Sequence, residues 1–582
     1  RGVDKLGLPV KKVVAYGYRF SEFNSPIYQK DVKLDVTFRV DRWSDQDRRP
    51  PMCITLGCHL TNFKMPFGDL SDTASSIAGV LKRTCFKHPV PDSGLRSELA
   101  AFTASWLKKN LSPLNVVDDV SFNTWLEGTR YNRRRKDELK RTWDAYTGVL
   151  TARDKKCKCF SKAESYTAWK HLRGIYSRSD IFKCVVGPTF AAIEKVLFKM
   201  KWFIKKVPVR DRARHVWEAM YSPTARYYAT DYSAFESHFD NRLMAEVEFQ
   251  LYEYMTAALP NGADWYQLVR ETLGDDQTCQ FKGFVAEGVQ SRMSGEMCTS
   301  LGNSFANLMI FLFVCSKAGI QEEAITGFVE GDDGLFRFEA HQSIDDSLFT
   351  KLGLTIKIEK HDTLNQASFC GLIFDPESLI IITDPREVIA DFGWAGPFYV
   401  HCGDVRLKEL LRAKSLSFLH QYPGCPIVQS LAQYGLRMTN HVYIQRYLEK
   451  DRHLNMWERE QLLAAVEDFN SGVEIARPVS RRSRLIVEEM YGIPAEEQIR
   501  IENMLDSKSE LSPIDLGLPD YMPAVWNDCW QEYVRPSQGD FPVAYSRRIG
   551  AFNLPPSIDI KSTDLVVGEY FHDRLYPWGG RA

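Results

Sequence analysis

Short apolar runs alternate with acidic turns through the middle of the chain, and longer helical periodicities take over toward its end. From Arg226 to Gly371 the order reads strand, acidic turn, long helix, strand. Tyr227 to Thr230 is a β-prone run stopped by Asp231, Arg242 to Thr256 and Ser300 to Ser316 have helical spacing, and Leu352 to Ile358 is a further amphipathic element. The apolar arms Ile325 to Val329 and Leu335 to Phe338 flank Gly331-Asp332-Asp333, the signature of a β-hairpin with an acidic turn. Sheet and helices that cover each other in this way predict an α+β fold. Before residue 130 the chain mixes β-like runs such as Leu34 to Val40 with Pro- and Asp-rich turns. Beyond about residue 376 it reads as helical, as in Arg406 to His420 and Met456 to Phe469, and it ends in a Pro-rich, aromatic tail. The longest apolar run, Phe305 to Cys315, is interrupted by Asn307 and falls short of the roughly 20 residues that span a bilayer, so it predicts a core helix.

Composition changes this picture in two places. The 582 residues, 44% hydrophobic and 26% charged, suffice for a large core and several subdomains. A net charge of -1 conceals a basic region, since residues 130–214 carry 24 Lys and Arg against 8 Asp and Glu. Arg133 to Lys136 reads as a solvated helix face, whereas Lys199, Lys201, Trp202, Phe203, Lys205 and Lys206 interleave charge with aromatics, which suits a groove for phosphates and stacked bases. The 13 cysteines lack a repeated Cys-x-x-Cys and read as reduced thiols. Cys53, Cys58 and His59, or Cys157 and Cys159, are candidate metal ligands without the paired spacing of structural zinc. No signal-peptide pattern precedes Arg1, and the first residue is not Met, which suggests a segment of a longer product. Any membrane attachment is then expected outside this chain.

Two carboxylates in one turn, Asp332 and Asp333, are costly to bury unless a cation neutralises them. Nucleotidyl transfer uses such sites: two divalent metals roughly 4 Å apart activate an attacking hydroxyl and stabilise the leaving group. Mg²⁺ takes one or two protein carboxylates plus substrate phosphates. Asp231 is the natural third carboxylate, because it too ends a β-prone run; on its own it reads as a helix N-cap. Ser294 and Gly295, then Thr299 and Asn303, place small and hydroxyl side chains where a ribose or base could approach, although alone they read as a capped helix. Gly274-Asp275-Asp276 repeats the acidic tripeptide, but Trp265 to Leu273 reads as a helix, Gly274 stands where an αL cap belongs, and Gln277-Thr278 offers no apolar second arm.

In this order, Asp231-x-Ser-x-Phe-Glu236, Ser294-Gly295-x-x-x-Thr299-x-x-x-Asn303 and Gly331-Asp332-Asp333 resemble motifs A, B and C of the RNA-dependent RNA polymerases of positive-strand RNA viruses. Arg292 to Asn303 is most similar to the tombusvirus and nodavirus-like enzymes, and Gly334 resembles the flavivirus-like group. Leu352 to Thr355 with Lys357 and Lys360 resembles motif D, Phe369-Cys370-Gly371 motif E, and Lys183 with Pro188 and Glu194 the basic motif F, with Arg178 as a further candidate. The resemblance implies a right-hand fold: N-terminal extension and fingers over 1–130, basic fingers with the NTP and RNA groove over 131–215, palm over 216–376 with an inserted fingers segment near 240–290, and a helical thumb with the tail over 377–582. It implies that Asp231, Asp332 and Asp333 hold Mg²⁺, which Mn²⁺ can replace, and that Lys360, or failing it Lys357, acts as general acid. Glu236, Ser294, Gly295, Thr299 and Asn303 would bind the nucleotide, and Arg178 and Lys183 its triphosphate.

The implied partners are template and product RNA, NTPs, other viral replicase proteins and further copies of the chain, and the implied setting is a membrane-associated replication complex in the host cytoplasm. A reverse transcriptase and a catalytically silent RNA-binding replicase subunit are the alternatives. Gly331 before the Asp pair and the hydroxyl-reading Asn303 disfavour the first. Two positions depart from the family pattern. Glu236 replaces the usual Asp, lengthening the reach by roughly 1.5 Å. Glu296-Met297-Cys298 stands where Asp-x-Asn is commoner.

Overall fold

The computed structural model describes residues 18–19, 36–40 and 53–526, apart from five positions between 62 and 72 and residues 168, 169, 171, 452, 453, 455, 473, 474, 518 and 525. The sequence readings of the C-terminal tail and of most of the first fifty residues lie outside the described residues.

The organising element is the helix Thr299–Lys317, in which every residue from Leu301 to Cys315 is buried. A helix apolar on all sides has no face to give to water and settles inside a core. By length and apolarity it could cross a bilayer, exceeding the 11-residue run that the sequence marks out, but 83% of its apolar window is packed inside the fold. It stops at Gly319, whose φ of +75° lets the chain fold back so that Ile320 N donates to Cys315 O at 3.0 Å.

On this helix lies a four-stranded antiparallel sheet in the order Ile356–His361, Ala225–Tyr232, Asp333–Glu339, Thr326–Glu330. Alternation decides which side chains it buries: Phe336 stacks on Phe311 of the helix with ring centroids 3.6 Å apart. Gly327 and Gly334 leave room for that ring, because a Cβ on either would come within 2.7 Å of it. Leu335 turns to the other face, against Val216, Phe328 and Phe374.

A six-stranded sheet runs Tyr18–Arg19, Thr37–Val40, Phe284–Val289, Gln277–Gln280, Cys157–Ser161, Gly174–Ser177. Cys157 and Cys159 point into its buried side, so they serve as small apolar residues there. A strand, Gln277–Gln280, does follow Gly274-Asp275-Asp276, but it is polar and pairs with Cys157–Ser161 and Phe284–Val289 rather than forming the second arm of a hairpin about that turn. Gly274 is the last residue of the helix Gly262–Gly274, and it is Asp275 that caps it in an extended conformation.

The remainder is mainly helical: Asp404–Gln421, Val428–Met438, Met456–Asn470, Arg481–Tyr491 and Ala495–Ser507 share a second core. That core also holds Leu56, Cys58, Leu60, Phe63 and Met65 from far earlier in the chain, with Ile54–Thr55 paired to Trp394–Ala395. Residues 1–130 are therefore not one unit. Their described parts join the six-stranded sheet, this helical core, and, through the helix Ser93–Asn110, the packing around Thr299–Lys317. Cys58 is buried with its thiol pushed up to about 12 by desolvation, and His59 shares a 2.7 Å hydrogen bond with Thr55 Oγ1.

Candidate active site

Register brings the carboxylates together. Gly334 pairs with Thr230, so one step further along both strands Asp333 stands level with Asp231. Asp333 also pairs with Glu330 across a two-residue turn of Gly331 and Asp332. Gly331 has a φ of +67°, and a glycine first in such a turn is what a type II′ hairpin requires. Burial pushes the Asp332 carboxyl up, with Glu236 and Asp231 adding like charge. Asp333 is pushed up to about 7 by burial, then by Asp332 and Asp231, against a Cys370 thiol bonded to it. Asp231, although exposed at its strand end, is raised by partial desolvation. Like charges held this close are relieved by a proton or by a cation. Among the described residues no three His, Cys, Asp or Glu side chains form a closed cage for an ion. An open set of two or three carboxylates matches a cation that draws its other ligands from substrate phosphates.

The turn is braced from below by the long helix. Asn307, fully buried, donates through Nδ2 to Gly331 O at 3.2 Å and to Asp333 O at 3.0 Å. Ser304 Oγ accepts from Gly331 N at 2.9 Å. Arg212 holds the first arm through Glu330 at 3.0 Å, and Val329 N donates to Trp202 O at 2.8 Å. Asn307→Leu removes both donors while keeping the volume, leaving two part-buried carbonyls without this partner at up to about 1–3 kcal/mol each. Its expected result is a loss of roughly 100-fold in single-turnover incorporation, the scale of a small displacement of reacting groups. RNA affinity should be unchanged; retention of the full rate would show that the turn holds without the brace.

Beyond Asp231 the chain turns through Ala234, at φ +49°, into the 3₁₀ turn Phe235–His238. This buries Glu236 to 7% exposure, where its carboxylate accepts from Arg83 Nη2 at 3.2 Å and its carbonyl from Ser291 Oγ at 2.9 Å. The longer side chain at the departing position thus reaches a cation from the helix Thr73–Thr84. Ser294 O accepts from Tyr176 N at 2.8 Å, fixing Gly295, at φ +110°, against the edge strand. Any Cβ at Gly295 would lie 2.8 Å from Ile175 Cγ2. Thr299 Oγ1 is occupied within the loop, accepting from Gly295 N at 3.1 Å and donating to Met293 O at 3.2 Å. Asn303 is buried with its Oδ1 lacking a hydrogen-bond partner among the described residues.

Four expectations are corrected here. Arg178 cannot offer itself to a triphosphate. It is buried, with its guanidinium bonded to Glu296 at 2.6 Å, Gln277 at 2.6 Å and Thr272 O at 3.2 Å. This accounts for the second departure from the family pattern, because Glu296 is the buried counter-charge of Arg178. Lys183 shares a crevice with Arg178 and Glu296, lies 3.9 Å from Asp180, and has its ammonium pushed down by desolvation. Trp202 and Phe203 are core residues, so they cannot stack on bases. Lys360 pairs in register with Tyr228 and Lys357 with Asp231. Cross-strand partners share a face and side chains alternate, so Lys357 stands on the carboxylate side and Lys360 on the opposite one, at 2.8 Å from Asp346.

Sequence reasoning missed Arg83 and Arg173. Arg173, 38% exposed, lies 3.7 Å from Glu164 and within the field of Glu236. Both come from outside the ordered motifs, and only tertiary packing places them by Glu236. Lys205 Nζ donates to Ser300 Oγ at 2.6 Å.

Residues 208–434 match the sequence model of the viral RNA-dependent RNA polymerase family. The chain is similar to the RNA-directed RNA polymerase of striped jack nervous necrosis virus, 26% identical over 296 residues, which cover 46% of this chain and 28% of that protein. It is 24% identical over 333 residues to the enzyme of Atlantic halibut nervous necrosis virus, covering 54% and 31%. For the enzyme of greasy grouper nervous necrosis virus the figures are 25% over 312 residues, covering 49% and 29%. The chain spans under a third of the length of these relatives. The family match implies a right-hand polymerase fold, which agrees with the mixture of helices and antiparallel sheets. Residues 208–434, the stretch similar to the viral RNA-dependent RNA polymerase family, contain Asp231, Asn303, Asp332 and Asp333.

Proposed function

We infer that the chain synthesises RNA on an RNA template, transferring nucleotides from NTPs to an RNA 3′-hydroxyl with release of pyrophosphate. The observation that carries this reading is the register that sets Asp333 level with Asp231 beside Asp332. In the same reading the four-stranded sheet with its helix is the palm, the six-stranded sheet with its neighbouring helices the fingers, and the helical region beyond residue 376 the thumb.

Asp231, Asp332 and Asp333 would hold Mg²⁺, or Mn²⁺ in its place; bound there, the metals activate the hydroxyl and neutralise the departing pyrophosphate. The protein's own groups do the rest. Arg83 and Arg173, drawn to Glu236, present positive charge on the side from which a triphosphate would enter. Ser294 and Asn303 would line the ribose, and the buried, unpartnered Asn303 Oδ1 is an acceptor suited to a sugar hydroxyl. Glu236 bonded to Arg83 would set the limit of that pocket. Lys357 would pass a proton to the leaving group, its ammonium held charged by the hydrogen bond to Glu359. Lys357→Ala is expected to lower kcat about 100-fold and Lys360→Ala by less than about twofold. Equal effects would mean that neither is the acid.

The decisive measurement is extension of a primed RNA template by the purified chain with Mg²⁺, run beside a primer-free template and with ribo- and deoxyribonucleotides in parallel. Ribonucleotide incorporation supports the reading. RNA binding without any incorporation would favour a silent replicase subunit, and deoxyribonucleotide preference a reverse transcriptase. We place the activity in host-cytoplasmic replication complexes on membranes, in company with other replicase proteins.

A further inference from the structure

One face of the six-stranded sheet carries an aromatic side chain that the core does not use. Along Cys157–Ser161 the residues alternate, with Cys157 and Cys159 buried and Lys158 and Phe160 exposed. Phe160 is 57% exposed. Its cross-strand partner is Ile175, and that of Lys158 is Ser177. Lys162 N donates to Arg173 O at 2.8 Å, which carries the same register one step further. Lys158, Phe160 and Lys162 therefore share a face with Ser177, Ile175 and Arg173.

Two independent observations give the bearing of that face, one a close approach and the other an electrostatic interaction. Ile175 packs against Gly295, and Arg173 lies in the field of Glu236. The face thus looks toward the nucleotide side of the candidate site. From Lys162, level with Arg173, to Phe160 is two strand residues, about 6.6 Å. That is the length of about two stacked nucleotides at 3.4 Å each.

We propose that Phe160 is a stacking platform for an unpaired base of single-stranded template RNA, about two nucleotides from the position opposite the incoming NTP, with Lys158 and Lys162 beside it drawing in the adjoining phosphates. An exposed ring flanked by ammonium groups is the pairing that binds single strands without reading sequence, since every base has a π-face. Lys162 is 2.5 Å from Glu164, which it shares with Arg173, so this carboxylate anchors the basic row at the end nearest the site. Lys158 stands exposed at the other end, near Asp154 and Asp180.

The proposal rests on the polymerase reading, and its test separates the two. Short single-stranded RNAs carrying 2-aminopurine at successive positions are bound to the full chain and to Phe160→Ala, Phe160→Leu and Phe160→Tyr variants. The wild type and Phe160→Tyr should quench the probe at one or two adjacent positions. Phe160→Ala and Phe160→Leu should lose the quench and weaken template binding about tenfold, with the KM for NTP and the melting temperature unchanged. Template affinity of Phe160→Ala within about twofold of wild type, or Phe160→Leu behaving as Phe160→Tyr does, would overturn the platform. A wild type that binds and quenches but never extends a primer would leave the platform standing and defeat the polymerase reading.

Discussion

Replacing Asp332 by Asn is expected to reduce nucleotide incorporation by about 10³-fold or more while raising the melting temperature of the metal-free protein by a few degrees. Both effects come from the same charge. Asp332 adds to the repulsion that, after burial itself, pushes the carboxyl of Asp333 up to about 7. A carboxyl whose folded-state pKa exceeds its unfolded value binds its proton more tightly when folded. Its contribution to stability is complete below about pH 4 and is lost as the pH rises toward 7. Metal-free wild type should therefore melt at a lower temperature at pH 8 than at pH 5, as far as this site contributes, and Mg²⁺ should recover the difference at the higher pH. In Asp332→Asn the pH dependence should be shallower and the Mg²⁺ effect smaller. Thermal melting with and without Mg²⁺ at the two pH values checks this. A wild type indifferent to Mg²⁺, or an active Asp332→Asn, would remove the metal assignment.

Glu248→Leu is expected to destabilise the protein by about 3–5 kcal/mol, the cost of leaving one member of a buried ion pair alone. Glu248 is fully buried and paired with the equally buried Arg292, and Tyr252 donates to its other oxygen at 3.0 Å. Arg292 lies over the Phe239 ring at 4.2 Å and against Gly302, where a Cβ would come within 2.7 Å of its guanidinium. Burial lowers the pKa of Arg292, against the raising influence of Cys298, Glu296 and Glu236. Adding Arg292→Met to Glu248→Leu should restore at least half of the lost stability, because two apolar side chains remove both desolvation penalties together. Chemical denaturation of the single and double variants gives the comparison. If Glu248→Leu alone cost less than about 1 kcal/mol, the pair would be carrying little.

The central hairpin was legible because two apolar arms and a Gly-initiated acidic turn agree with each other, and the buried helix because it is apolar on every side. Which of Lys357 and Lys360 stands on the carboxylate side was not legible. It depends on which residue of Ala225–Tyr232 each one faces, and parity along a strand has no meaning until its partner is known. Gln277–Gln280 escaped hydrophobic periodicity for a different reason. Its first side chain is a buried glutamine fixed by Thr272 O and Arg178, so the strand begins on polar bonds. Trp202 and Phe203 misled because alternation of Lys with aromatics suits a stacking groove and a core edge equally well. Arg83 carries no local signal, since its partner Glu236 is 153 residues away, and Arg173, whose ion-pair partner is Glu164, comes within the field of Glu236 only through tertiary packing.

The pairing of Thr55 with Trp394 joins positions about 340 residues apart, a separation that carries a high cost in loop-closure entropy and slows folding. A ribosome releases Leu56 to Met65 long before it makes the helices that cover them. Until then those side chains are an adhesive patch on a nascent chain, and the N-terminal segment waits for the C-terminal core as the last staple of the fold. A chain cut after residue 434 keeps Asp231, Asp332 and Asp333 but loses the helices Arg481–Tyr491 and Ala495–Ser507 from that core, so it should misassemble rather than fold as a smaller protein.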